Sequence, residues 1–179
     1  MRALRARTIG TITVVGWVMT AAGSASAGSH LWRFNEIFSN ADGTIQFIEL
    51  KESGGSATET QLAGKYVHSV TTGKQYNFPG NLSGNTANRH LLLATSGFAA
   101  LPGAPTPDYI IPTNFFSLNA DTLHYWTYSA AFMTYAPGAV PTDGVMSLSI
   151  TGTTAVNSPT NFAGQTGSVN AGTCTDNDS

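Results

Sequence analysis

Charge is scarce in this chain: Asp, Glu, Lys and Arg together make up 10% of its 179 residues. Cysteine is scarcer still. Cys174 stands alone, so no intrachain disulfide can form, and its thiol is either a tolerated stray or a handle for an intermolecular bridge. After Gly28 there is no run of apolar residues at the 3.6-residue spacing of an amphipathic helix, which argues against a helical fold. No glycine-rich phosphate loop leads into a helix pattern. No Gly-x-Ser-x-Gly elbow nominates a nucleophilic serine. The four histidines, His30, His68, His90 and His124, have none of the spacings of a zinc site. A Ser-His-Asp triad needs no fixed spacing, so the sequence leaves that arrangement open. There is no internal repeat.

What is present begins with an address. Arg2, Arg5 and Arg7 precede a mostly apolar run over 9–22, and Ala25-Ser26-Ala27 supplies the small residues a signal peptidase accepts. Gly10, Thr11, Thr13 and Gly16 interrupt the run, which is shorter than the ~20 apolar residues of a membrane span. Residues 1–27 therefore read as a signal peptide. The mature chain is expected to start at Gly28, to be secreted (extracellular, cell surface or periplasm), and not to enter a membrane once the signal is gone. Five basic residues then face ten acidic ones, a net charge of −5. Phosphate backbones are bound by clustered Lys and Arg, so no nucleic-acid partner is expected.

The mature length suits one domain with a sizeable core. Short β-branched and aromatic runs recur between Gly, Pro and Asn, the pattern of an all-β sandwich or barrel. The first pair of strands, 31–38 and 44–51, flanks the turn Ser39-Asn40-Ala41-Asp42-Gly43, whose Asp-Gly is a strong hairpin signal. Further strands are expected at 65–70, 75–78, 89–95, 109–111, 122–128 and 144–150. The run Leu91-Leu92-Leu93 is apolar on both faces and reads as central. Pro112 marks 109–111 as an edge. Phe98 and Leu101 are expected under the loop that follows 95, and Phe132, Met133 and Tyr135 as anchors of the 129–143 connection. Residues 28–151 would form the domain, with 152–179 a polar tail that is partly ordered at most.

Several short motifs carry a resemblance. Asn35-Glu36-Ile37, Phe47-Ile48-Glu49-Leu50 and Leu62-Ala63-Gly64-Lys65-Tyr66 resemble the successive strand motifs of the lamin-tail domain. Tyr76-Asn77-Phe78-Pro79, Leu91-Leu92-Leu93 and Thr142-Asp143-Gly144-Val145-Met146-Ser147-Leu148 are similar to its later strands. The resemblance covers roughly 31–150 and implies an immunoglobulin-like β-sandwich, in a non-catalytic accessory or surface module. It transfers no catalytic residue.

Three constellations could carry chemistry. Alternation places Trp32, Phe34, Glu36 and Phe38 on one face of the first strand, and Ile45, Phe47 and Glu49 on one face of the second. Two carboxylates desolvated among aromatics could divide acid and base roles, as in glycosidases. The simpler reading is that each accepts backbone amides or pairs with Arg33, Arg89 or Lys51 and holds loops in place, since a buried charge requires partners. Asn40, Asp42, Thr44 and Glu49 offer oxygen ligands to a cation, but without the full EF-hand spacing, and turn chemistry explains the same residues. Tyr125, Trp126 and Tyr128, with Phe115-Phe116, could form a sugar-stacking platform. Alternation sends Trp126 and Tyr128 one way and Tyr125 the other with Leu123, so core packing is the default. His68 and His124 read as ordinary packing residues beside aromatics.

The sequence thus points to a secreted, non-catalytic, immunoglobulin-like sandwich acting as a structural or interaction module, with a protein or a surface polysaccharide as partner. The alternative is a carbohydrate-binding module, and the least favoured a glutamate-based hydrolase. No catalytic, cofactor or metal residue is nominated.

Overall fold

The computed structural model describes residues 27–172. Residues 1–26, which hold nearly all of the signal peptide expected from the sequence, and Cys174 lie outside the described residues. The chain folds as an immunoglobulin-like β-sandwich of ten strands. They are β1 (Trp32–Ser39), β2 (Gln46–Glu52), β3 (Tyr66–Ser69), β4 (Gln75–Asn77), β5 (His90–Thr95), β6 (Tyr109–Ile111), β7 (Asp121–Tyr125), β8 (Phe132–Tyr135), β9 (Met146–Ser149) and β10 (Thr154–Val156). A single helical turn, α1 (Ser96–Ala99), follows β5, with the Thr95 hydroxyl accepting from Phe98 N–H as its cap. One sheet has the order β10-β9-β1-β2-β5-β6, the other β4-β3-β7-β8. All neighbours are antiparallel except β5 and β6.

The core lies between the sheets. Trp32, Phe34, Ile37, Ile48, Leu50, Leu91 and Leu93 of the larger sheet meet Val67, Leu123, Tyr125, Met133 and Tyr135 of the smaller. Alternation then sends Phe38, Phe47, Leu92 and Ala94 to the opposite face of the larger sheet. There they form a second cluster with Phe98 and Val169, joined by Leu101. The central strands are thus apolar on both sides, as Leu91-Leu92-Leu93 implied.

Val169 comes from the stretch that the sequence marks as a partly ordered tail. That expectation is corrected. Residues 153–172 provide edge strand β10 and then a strap that runs over the outer face of the larger sheet. Hydrogen bonding holds this strap: Asn157 Nδ2 donates to Val145 O (2.7 Å) and Val169 O (2.7 Å), and its Oδ1 accepts Val169 N–H (2.8 Å). At the strap's end Ala171 N–H donates to Gly144 O at 2.7 Å. Gly144 has φ +74°, and a Cβ there would fall 2.2 Å from Gly172 N, so the close approach requires glycine. The sandwich therefore extends past residue 151.

A second correction concerns β1. Phe34 pairs with Leu50 and Glu36 with Glu49, leaving Asn35 as an extra, bulged residue. The bulge resets the alternation. Trp32, Phe34 and Ile37 face the core, while Glu36 turns outward with Phe38. Glu36 does not share a face with Trp32 and Phe34.

Candidate functional site

The larger sheet presents the paired glutamates on its outer face. They are direct cross-strand partners, 6% and 1% exposed. Glu36 accepts the Ser147 hydroxyl (2.5 Å), Ser158 N–H (2.9 Å) and the Ser158 hydroxyl (3.3 Å). Glu49 accepts Asn35 Nδ2 (2.5 Å) and Thr160 N–H (2.6 Å), and it pairs with His90 Nδ1 at 2.7 Å. The simpler reading of the pair holds as far as backbone amides go, but the ring that meets Glu49 is His90, in place of an arginine or lysine. Burial raises the Glu36 pKa, helped by the Glu49 charge and opposed by the Ser147 and Ser158 hydrogen bonds. Chemically, the two carboxylates grip alternate amides of the strap. Glu49 is sealed beneath the strap, while Glu36 borders a small cavity beside it.

The same device recurs through the molecule. Each of the eight acidic residues within 27–172 accepts at least one backbone amide. Glu52 takes Gly54 and Asn88, Glu59 takes Leu31, and Asp108 takes Leu92 and Phe162. Asp121 takes Thr71, Ser117 and Thr122, and Asp143 takes Val145 and Met146. In a chain poor in lysine and arginine, carboxylates serve as loop anchors, each bond charge-assisted and stronger than a neutral one.

The oxygen set at the first turn resolves in the same way. Asp42 Oδ1 accepts both the N–H (2.9 Å) and the hydroxyl (2.6 Å) of Thr44, and these bonds lower its pKa. Asn40 Oδ1 accepts Ile45 N–H at 3.0 Å. Glu49 sits in the sheet and does not join them. An open cleft of about 570 Å³ lies beside this turn and reaches Asp143, whose oxygen is likewise held by its own turn. Among the described residues no group of three or more His, Cys, Asp or Glu side chains is arranged to hold a metal.

The smaller sheet is different. Strict alternation puts Val67, Ser69, Leu123, Tyr125, Met133 and Tyr135 inside. It leaves Tyr66, His68, Gln75, Asn77, Thr122, His124, Phe132 and Thr134 on an outer face that no other element among the described residues covers. His68 lies directly opposite His124. Rings run across the sheet in contact: Trp126–Tyr66 at 5.0 Å between centroids, Tyr66–His68 at 6.5 Å, His68–His124 at 6.1 Å and His124–Phe132 at 4.1 Å. Lys65 Nζ stands 4.4 Å from the Trp126 ring centre. Burial, with the neighbouring His68, lowers the His124 pKa, and Asp121 opposes the shift.

This face is not the platform the sequence suggested. Tyr125, Phe115 and Phe116 are core residues. Strand β7 ends at Tyr125, and Trp126 follows at φ +53°, so Trp126 and Tyr128 do not share a strand face. Tyr128 packs partly against the core, its hydroxyl 3.3 Å from Ser29 Oγ. Only Trp126 of the expected set belongs to the open face. His68 and His124, read as packing residues, lie on it half-exposed. Their signal was the even spacing of Tyr66 with His68 and of Thr122 with His124 along polar-apolar alternation.

No family model, no curated protein and no solved structure matches the chain. No helix among the described residues is long and apolar enough to cross a membrane.

Proposed function

We propose that this protein is an exported, lamin-tail-like, non-catalytic interaction module that works outside the cell membrane and engages its partner through the outer face of the four-stranded sheet. The observation that carries this reading is the contrast between the sheets. Among the described residues every side-chain carboxylate accepts a backbone amide, while the aromatic and imidazole row lies open. Aromatic rings with a polar edge are favoured where one side of the ring packs and the other meets a partner or water. The leader-like start of the sequence supports export.

Co-sedimentation of the chain with envelope fractions of the producing cell tests it. Wild type should be retained, and a His68→Ala, Phe132→Ser variant with an unchanged melting temperature should stay in the supernatant. Equal retention of both would remove the face from the mechanism. Hydrolytic turnover lost on Glu49→Gln with the fold intact would replace the module by an enzyme.

A further inference from the structure

Two other regions invite a ligand and do not carry one. The cleft beside the first turn offers Asp42 and Asp143, but the Oδ1 atom of each is already used by its own turn and no third acidic, His or Cys side chain joins them among the described residues. The cavity of about 160 Å³ beside Glu36 is lined by short hydroxyl side chains, with the carboxylate fully partnered. The open face of the four-stranded sheet has chemistry left over.

Its rings alternate with hydrogen-bonding groups that are uncharged. Gln75 and Asn77 lie at one margin, joined by an Nε2–Oδ1 bond of 2.7 Å. The Thr122 and Thr134 hydroxyls meet at 3.0 Å near the other. On this sheet the large apolar groups exposed by more than a third are Phe132 (40%) on the face and Val70 (51%) at its margin, the others, Ile110, Ile150 and Val156, lying on the larger sheet or beside it. That is a poor match for the contiguous apolar centre of a protein interface. It suits a ligand with both C–H faces and many hydroxyls. Strands lie about 4.8 Å apart, close to the length of one sugar residue, so rings on successive strands can meet successive sugars.

Charge adds the sign. The chain is acidic overall, yet residues 60–107, which include β3 and β4, contain no Asp or Glu. Strands β7 and β8 add only Asp121, which is 4% exposed and bound to the Ser69 hydroxyl and three amides. The basic groups are Lys65 over Trp126 and Lys74, whose Nζ donates to Thr113 O and Asn114 O. The other seven acids within 27–172 are not on the strands of this sheet.

We propose that this face binds an acidic polysaccharide, with uronate-type sugars laid across Tyr66, Trp126 and Phe132, their hydroxyls met by Gln75, Asn77 and the two histidines, and a carboxylate meeting Lys65. The assignment rests on the interaction-module reading and names its partner class. A sugar carboxylate draws Lys65 off the Trp126 ring and frees that ring for stacking. Aromatic and cationic contacts of this kind contribute roughly 0.5–1.5 kcal/mol each, so one of them changes affinity by up to about tenfold.

Affinity electrophoresis of the full chain through gels containing polygalacturonate or a neutral galactan tests the assignment. Retardation is expected in polygalacturonate only, weakening as salt rises from about 50 to about 500 mM because exposed charge pairs are screened. Tyr66→Ala with Phe132→Ala should abolish it. Lys65→Ala should weaken it about threefold to tenfold at an unchanged melting temperature, which separates lost contact from lost fold. Equal retardation in neutral galactan overturns the acidic specificity, and retardation that survives both variants overturns the site. Absence of retardation in either gel, with envelope retention that protease treatment of the envelopes destroys, overturns the glycan and leaves a protein-binding module. Absence from both gels and envelopes removes the module reading with it.

Discussion

The two sheets of this sandwich finish their outer faces in opposite ways. On the larger one, Glu36 and Glu49 sit under a strap of chain whose amides they hold, and Phe38, Phe47 and Leu92 are sealed by Val169. On the smaller one, the equivalent outward positions carry Tyr66, His68, His124 and Phe132 with nothing above them. A carboxylate that is fully partnered by the protein is a structural part. A ring whose neighbours are other exposed rings is available to something else. Residue type alone does not separate the two, because a buried glutamate pair reads as more reactive than a row of histidines until the partners are counted.

The comparison is broken most severely by Glu49→Ala. That change strands Thr160 N–H, Asn35 Nδ2 and His90 beneath the strap, and breaking a buried pair from one side costs about 3 kcal/mol or more. Urea denaturation should show that loss, against less than about 1 kcal/mol for Tyr66→Ala on the open face. Similar values for the two would deny the difference between the faces. Asn157→Ala should follow at about 2 kcal/mol, since it removes the side-chain partners of the Val169 carbonyl and amide, while Val145 O keeps the backbone N–H of residue 157. Hydrogen exchange should then quicken in 153–171 before it quickens in β3 or β7.

Acidity sharpens the contrast further. Because burial holds the Glu36 pKa above its ordinary 4.5, the folded chain keeps a proton that the unfolded chain has released. Stability contributed at this site is therefore greatest at low pH and declines as pH rises from 4.5 through the raised value. Glu36→Gln keeps the acceptor for Ser158 and carries no charge. The variant should show a shallower decline in melting temperature between about pH 5 and about pH 7, and a slope identical to wild type would contradict the assignment. Asp108, raised chiefly by burial, adds a decline of the same sign that the substitution leaves in place. The smallest effect belongs to Tyr125→Phe. The Tyr125 hydroxyl is buried without a hydrogen bond of good geometry, although the Ser29 hydroxyl lies close enough to interact with it, so its removal should leave stability unchanged or raise it by up to about 1 kcal/mol. A clear loss would reveal a partner for that oxygen.

Much of the scaffold was legible in the sequence. The first two strands, the doubly buried Leu91-Leu92-Leu93, the edge at 109–111 and the self-satisfied Asn40–Asp42 turn all follow from alternation and turn chemistry. Three features were not. The bulge at Asn35 carries no glycine or proline to announce it, yet it moved Glu36 from one side of the sheet to the other. Strand β10 is Thr-Ala-Val in a stretch of Asn, Ser, Thr and Gly, and polar composition reads as loose chain unless buried carboxylates elsewhere are known to need its amides. Strand β8 begins in an Ala- and Pro-rich connection, where Met133 and Tyr135 were visible as anchors but their strand was not. The open face was hidden for a related reason. His68 and His124 are 56 residues apart, and only the pairing of β3 with β7 makes them neighbours.

The strap has one more consequence, which concerns time. Residues 157–171 are synthesised after every strand of the sheet they cover, and until they arrive Phe38, Phe47, Leu92 and Phe98 have no roof and two carboxylates lack their amides. A nascent or shortened chain therefore carries a sticky, half-charged flank that only its own later segment can close. Completion of the molecule is marked by the disappearance of that flank.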